Sequence, residues 1–135
     1  HEEKVLAALR GAGVEWVCLA GYMRLLSPEF VAAWPRRILN IHPSLLPAFA
    51  GARPVADTLA GGAAVTGVTV HLVTGELDGG PIVRQTAVPV RDDDTAESLS
   101  ARILVEEHRI YPEAVGAVLK GGWRIEGRRF LATSC

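Results

Sequence analysis

Two short polar clusters in this 135-residue sequence hold residue types suited to moving protons and stabilising charge. The first is Asn40-Ile41-His42, at the end of the apolar run R-I-L-N-I and followed at once by Pro43. In an extended chain successive side chains alternate, so Asn40 and His42 point to the same side. An amide donor and an imidazole then meet near one point in space. The second cluster is Asp78-Gly79-Gly80-Pro81, inside the turn-rich T-G-E-L-D-G-G-P. If the two loops converge, Asn40 can stabilise an oxyanion, His42 can move protons, and Asp78 can orient or charge that imidazole. Such a set suits acyl transfer to an external nucleophile. Taken singly, the same residues fit plainer roles: Asn40 tying down a loop, His42 capping it, Asp78 filling a turn. Ser44 follows Pro43, but no G-x-S-x-G elbow surrounds it and no Ser or Cys stands in an activating setting. A covalent intermediate is therefore not indicated.

The other histidines read in two ways. His71 sits mid-strand and is either a partner for Asp78 or a satisfied core residue. His108 follows Glu106 and Glu107 on a helical stretch and fits a solvated face. Asp92 to Asp94 is an acidic run favoured at a helix N-terminus by its dipole.

The surrounding pattern must supply the scaffold. Val5, Leu6 and Leu9 share one helical face, and Gly11 and Gly13 end that helix. Val14 to Ala20 is a short apolar run of the kind found in a buried parallel strand, with Cys18 expected as a small buried hydrophobe. Ser27-Pro28-Glu29 starts a helix with Ser as N-cap and Pro at the first position. Its apolar stripe is Phe30, Val31 and Trp34, and Pro35 stops it. Strand Arg37–Ile41 precedes a stiff loop bracketed by Pro43 and Pro47. A helix is predicted over Pro54–Ala60, ended by Gly61-Gly62. Val65 to Val73 alternates, with Val68, Val70 and Leu72 on one face and Thr69 and His71 on the other. A further strand runs from Ile82 to Val90. Asp94 with Glu97 resembles a capping box, opening a helix that carries Leu99, Ile103, Leu104 and Ile110 inward and that Pro112 should kink or break. The closing W-R-I-E-G-R-R-F reads as a hairpin with Glu126-Gly127 in the turn. Helices alternating with short strands predict one α/β domain, an open, mostly parallel sheet with flanking helices and room for two later strands paired antiparallel at an edge. Ligands of such sheets bind outside the carboxyl ends of the strands.

Composition narrows the partners. Fourteen Lys and Arg against fifteen Asp and Glu leave a net charge of −1, which argues against a nucleic-acid backbone as main partner. No stretch approaches the roughly 20 apolar residues of a membrane span. Cys18 and Cys135 are too few for a disulfide framework, and with four His no structural zinc pattern appears. With no targeting segment visible, a cytoplasmic setting is expected. The chain opens at His1 with a helical pattern already under way, which leads to the expectation of a fragment of something longer.

Four segments, G-Y-M-R-L-L-S-P-E-F, I-L-N-I-H-P-S-L-L-P, V-T-V-H-L-V and E-L-D-G-G-P-I-V, resemble the folate-dependent formyltransferases in order and spacing. D-D-D-T-A-E-S-L-S-A-R-I and E-E-H-R-I-Y-P-E-A-V narrow the resemblance to the glycinamide ribonucleotide formyltransferases of purine synthesis, over about Val14 to Leu131. The resemblance implies a Rossmann-type formyltransferase fold and transfer of a formyl group from 10-formyltetrahydrofolate, as co-substrate and without a metal, to the amine of glycinamide ribonucleotide. It implies catalytic roles for Asn40, His42 and Asp78. Met23, Arg24, Leu25 and Leu26, with Thr74, Gly75, Glu76 and Leu77, fall on segments that cradle the pterin. Pro43 and Glu107 fall on the nucleotide side, Glu107 toward the ribose, and His71 falls beside the catalytic Asp. The implied partners are small molecules, with no nucleic acid and no membrane, and the protein is expected to be a monomer or homodimer.

This sequence departs from that pattern in places. Arg53 stands where the family's P-G-x-H loop usually carries its first His, and Leu104 stands where a Gln near the nucleotide is common. The family's opening strand, glycine-rich turn and helix, which bind the nucleotide phosphate, have no counterpart before Val14. A C-terminal portion lacking the first βαβ unit is therefore expected, with weak nucleotide binding and poor solubility on its own. Two alternatives remain: a formyltetrahydrofolate deformylase, against which Pro43 argues because that relative usually has a second His there, and a non-catalytic folate-binding fragment.

Overall fold

The computed structural model describes residues 2–20, 26–75 and 79–132. In chain order the elements are α1 (Glu2–Gly11), β1 (Val17–Ala20), α2 (Pro28–Ala33), β2 (Ile38–His42), α3 (Pro54–Ala60), β3 (Val65–Leu72), β4 (Ile82–Pro89), α4 (Ala96–Lys120), β5 (Trp123–Glu126) and β6 (Arg129–Ala132). The strands form one sheet in the order β1-β2-β3-β4-β6-β5.

Alternation along β2 divides the molecule into two layers. Leu39 and Ile41 face α4 and join Val68, Val70 and Leu72 of β3 with Leu99, Ile103, Ile110, Ala114 and Val118 of the helix. Ile38 points the other way, into a smaller cluster with Val17, Leu26, Phe30 and Trp34. Asn40 and His42 share the side of Ile38 by the same period of two. Helix α2 is built as its sequence dictates: Ser27 Oγ accepts from Phe30 N at 3.1 Å, Pro28 occupies the first turn, and Trp34 ends the helix ahead of Pro35. Helix α3 spans Pro54–Ala60 and stops at Gly61, as expected.

The sheet is mixed rather than mostly parallel. β1–β2 and β4–β6 are parallel, while β2–β3, β3–β4 and β5–β6 are antiparallel. Residues 73–81 join β3 to β4 and are too few for the crossover helix that a parallel neighbour needs.

Other expectations are corrected locally. Cys18 is exposed, because β1 is the outermost strand among the described residues and its α4 side is left partly open. Val5 is also exposed, while Leu6 and Leu9 pack against the smaller cluster. The N-cap of α4 is Thr95, one residue beyond Asp94. Thr95 Oγ1 accepts from Ser98 N at 3.1 Å, and Ser98 Oγ accepts from Thr95 N at 2.9 Å. Asp94 instead accepts from Arg91 N at 2.7 Å and pairs with the Arg102 guanidinium at 2.7 Å. Leu104 is 48% exposed, one residue and therefore about 100° around the helix from buried Ile103. Pro112 does not end α4, which continues to Lys120. Ile110 before it and Ala114 and Val118 after it are buried against the sheet, and this packing outweighs the hydrogen bond that proline cannot make. In the final hairpin Glu126 pairs with Arg129, so Gly127 and Arg128 form the turn, with Gly127 at φ 61°.

Candidate active site

Asn40 and His42 end β2 side by side and are 5% and 1% exposed. The antiparallel register sets His71 opposite Asn40 and Thr69 opposite His42. Four polar side chains therefore share one buried patch of sheet, where unpaired polar groups would be costly. His71 Nδ1 lies 3.3 Å from the Leu72 carbonyl. His42 Nε2 lies 3.0 Å from the Phe49 carbonyl. A carbonyl only accepts, so Nε2 carries the proton of that bond.

The loop after His42 is tied to the sheet by groups the sequence reading did not single out. Thr69 Oγ1 donates to the Ser44 carbonyl at 2.7 Å and accepts from Leu46 N at 3.1 Å. Gln85, opposite Thr69 in register, donates from Nε2 to the Leu46 carbonyl at 2.9 Å and to Thr69 Oγ1 at 3.0 Å. Ser44 Oγ donates to the Ala48 carbonyl at 2.6 Å, so its hydroxyl braces the loop. Gly67 permits this packing: a Cβ there would meet Leu45 Cδ2 at 2.6 Å and the Thr86 carbonyl at 2.1 Å. Thr69 shares a strand face with His71, which was the one available hint of its part in the site.

Glu107 reaches the same region from α4. Burial holds its carboxyl above the ordinary range, while the charges of His108 and His42 act in the opposite direction. Pro43 is half-buried beside His42. Leu26 is buried in the cluster with Phe30, Trp34 and Ile38. Thr74 and Gly75 border a cleft of about 470 Å³ whose wall also includes Val31, Arg36, Val73 and Arg128. Asp78, Met23, Arg24, Leu25, Glu76 and Leu77 lie outside the described residues. Arg53 is exposed at the start of α3 and makes no side-chain cap there. Among the described residues no helix is long and apolar enough to cross a membrane.

A buried amide and imidazole at a strand end, in a single mixed sheet covered by helices on both faces, are an arrangement that suits the formyl transferases. That family's sequence profile matches residues 1–115, and the chain belongs to it. It is 51% identical over 112 residues, 83% of its length, to the trifunctional purine biosynthetic protein adenosine-3 of Gallus gallus. Among solved structures it is similar to glycinamide ribonucleotide transformylase 1 from Symbiobacterium toebii, with TM-score 0.95 and 51% identity over 98% of this chain. It is also similar to a formyltetrahydrofolate deformylase from Pseudomonas syringae, with TM-score 0.90 and 29% identity over 98% of this chain. The chain spans 11% of the first of these proteins, 63% of the second and 44% of the third.

Proposed function

We propose that the protein containing this chain transfers a formyl group from 10-formyltetrahydrofolate to the amine of glycinamide ribonucleotide in purine synthesis. The observation that carries this reading is the buried pairing of Asn40 and His42 at the end of β2, in a chain half identical to a glycinamide ribonucleotide transformylase. The amine attacks the formyl carbon, and negative charge gathers on the formyl oxygen. Asn40 donates a hydrogen bond to that oxygen, where a fixed donor in a site shielded from water is most effective. The ammonium formed by the attack must lose a proton before the folate nitrogen can leave. Asp78 takes that proton, directly or through a water, and His42 supplies a proton to the collapsing intermediate. Glu107 holds the nucleotide ribose, with Pro43 shaping the same side. The segments 23–26 and 74–77 hold the pterin, and His71 supports Asp78. We read the protein as cytoplasmic, and as a monomer or homodimer acting on small molecules.

Hydrolysis of the formylfolate is the second reading, favoured by the likeness to the deformylase. It weighs less because identity to that protein is 29%, against 51% to the transformylase, and because Pro43 occupies the position of the deformylases' second His. Incubation with 10-formyltetrahydrofolate, with and without glycinamide ribonucleotide, separates the readings. Formylated nucleotide is the expected product. Formate released at the same rate without nucleotide would mean hydrolysis. Folate binding with neither product would mean a binding fragment.

A further inference from the structure

We infer that Phe49 is a positioning residue for His42: its left-handed backbone aims a carbonyl at Nε2, fixing the imidazole proton there and assigning proton exchange to Nδ1. The inference rests on the formyl-transfer reading for the catalytic consequence, but its geometry stands by itself. Phe49 has φ 53°, a conformation that an aromatic residue adopts only when its surroundings impose it. Several contacts do so. The Ser44 hydroxyl holds the Ala48 carbonyl at 2.6 Å and lies 3.4 Å from the Phe49 carbonyl. Thr69 and Gln85 anchor the loop at Ser44 and Leu46. The Phe49 ring lies against Gly61 at the end of α3, where a Cβ would come within 3.3 Å of it.

The outcome is the 3.0 Å contact between His42 Nε2 and the Phe49 carbonyl. Which ring nitrogen carries the proton is set by the hydrogen bond the ring makes, and a carbonyl stabilises only N–H. In the neutral ring Nδ1 is then the acceptor, and in the cation it is the acidic N–H presented to the reaction. A side chain at position 49 matters here through its backbone. Asn tolerates the left-handed region, whereas Val, branched at Cβ, resists it.

The test is long-range proton–nitrogen NMR of the His42 ring, combined with steady-state kinetics, on the protein containing this chain. The unaltered protein is expected to hold neutral His42 as the Nε2–H tautomer. Phe49→Val should mix the tautomers and lower kcat by about 10-fold to 100-fold, the scale for a misplaced catalytic group, with KM for the formylfolate changed less than threefold. Phe49→Asn should restore the Nε2–H signal and most of the lost kcat. An Nδ1–H tautomer in the unaltered protein would overturn the inference, whatever the variants do. So would an unchanged tautomer and kcat in Phe49→Val. If the tautomer behaves as expected but formylated nucleotide is not the product, the positioning stands and the reaction assignment fails.

Discussion

Replacing Thr69 with Val would test whether the catalytic loop is held by the sheet behind it. The two side chains have nearly the same shape, so no cavity opens, and the change is confined to one hydroxyl. That hydroxyl donates to the Ser44 carbonyl at 2.7 Å and accepts from Leu46 N at 3.1 Å, both in fully buried surroundings. Gln85 keeps its bond to the Leu46 carbonyl and sits on an exposed residue, where water can replace what it loses. Two buried backbone groups are therefore orphaned. At about 1–3 kcal/mol each, the ceiling is about 6 kcal/mol, and loop relaxation brings the expectation to about 2–4 kcal/mol. Thr69→Ser is the control: it keeps the hydroxyl and removes one methyl, at a cost of about 1 kcal/mol. Urea unfolding measures both, and the midpoint should fall without a change in slope, since the exposed area is the same. The reasoning is refuted if Thr69→Val proves as stable as Thr69→Ser.

Asn40→Ala should lower kcat by about 10²–10³ with little change in folate affinity, the usual loss for one oxyanion donor, as steady-state kinetics and folate titration would show. Asp78→Asn keeps the size and deletes the charge, so the protein should fold normally while turnover falls by about 10²–10⁴; circular dichroism and a rate assay together check it. Burial raises the Glu107 carboxyl above its ordinary value of 4.5, so the native state holds this proton more tightly than the unfolded chain. The resulting stability is complete below that value and is lost as pH rises through the native one. Glu107→Gln should therefore flatten the decline of Tm with pH above about 4.5, by a modest amount for a half-buried group; an unchanged Tm–pH curve would remove burial as the cause.

Much of the scaffold is legible locally. Ser27-Pro28 announces α2, Gly61-Gly62 ends α3, and the alternation of 65–72 already joins Thr69 and His71 on one face. Errors arise where two local signals compete within a residue or two. D-D-D-T-A-E-S offers both Asp94 and Thr95 as caps, and the choice is made by Arg102, about two turns further on, which claims the Asp94 carboxylate. Leu104 looks like a core residue only because it adjoins Ile103. Strand direction is less legible still, because β-pairing depends on the length and path of connections more than on the composition of the strands.

The candidate site divides along the same line. Asn40 and His42 are paired by the period of a strand, a property of three consecutive residues, so the sequence alone suffices. Their setting is not local: Thr69, Gln85 and Phe49 reach the site from 27, 43 and 7 residues past His42, through register and loop closure. P-S-L-L-P suggests stiffness from its prolines. The structure also fixes this loop through Ser44, Thr69 and Gln85, each of which bonds a backbone carbonyl in or just past the loop. The prolines limit the loop's freedom, but the sheet decides where its carbonyls point. The Phe49 carbonyl that meets His42 lies two residues past Pro47, so the bonds from β3 and β4 that anchor Ser44 and Leu46 constrain the segment that presents it to the imidazole.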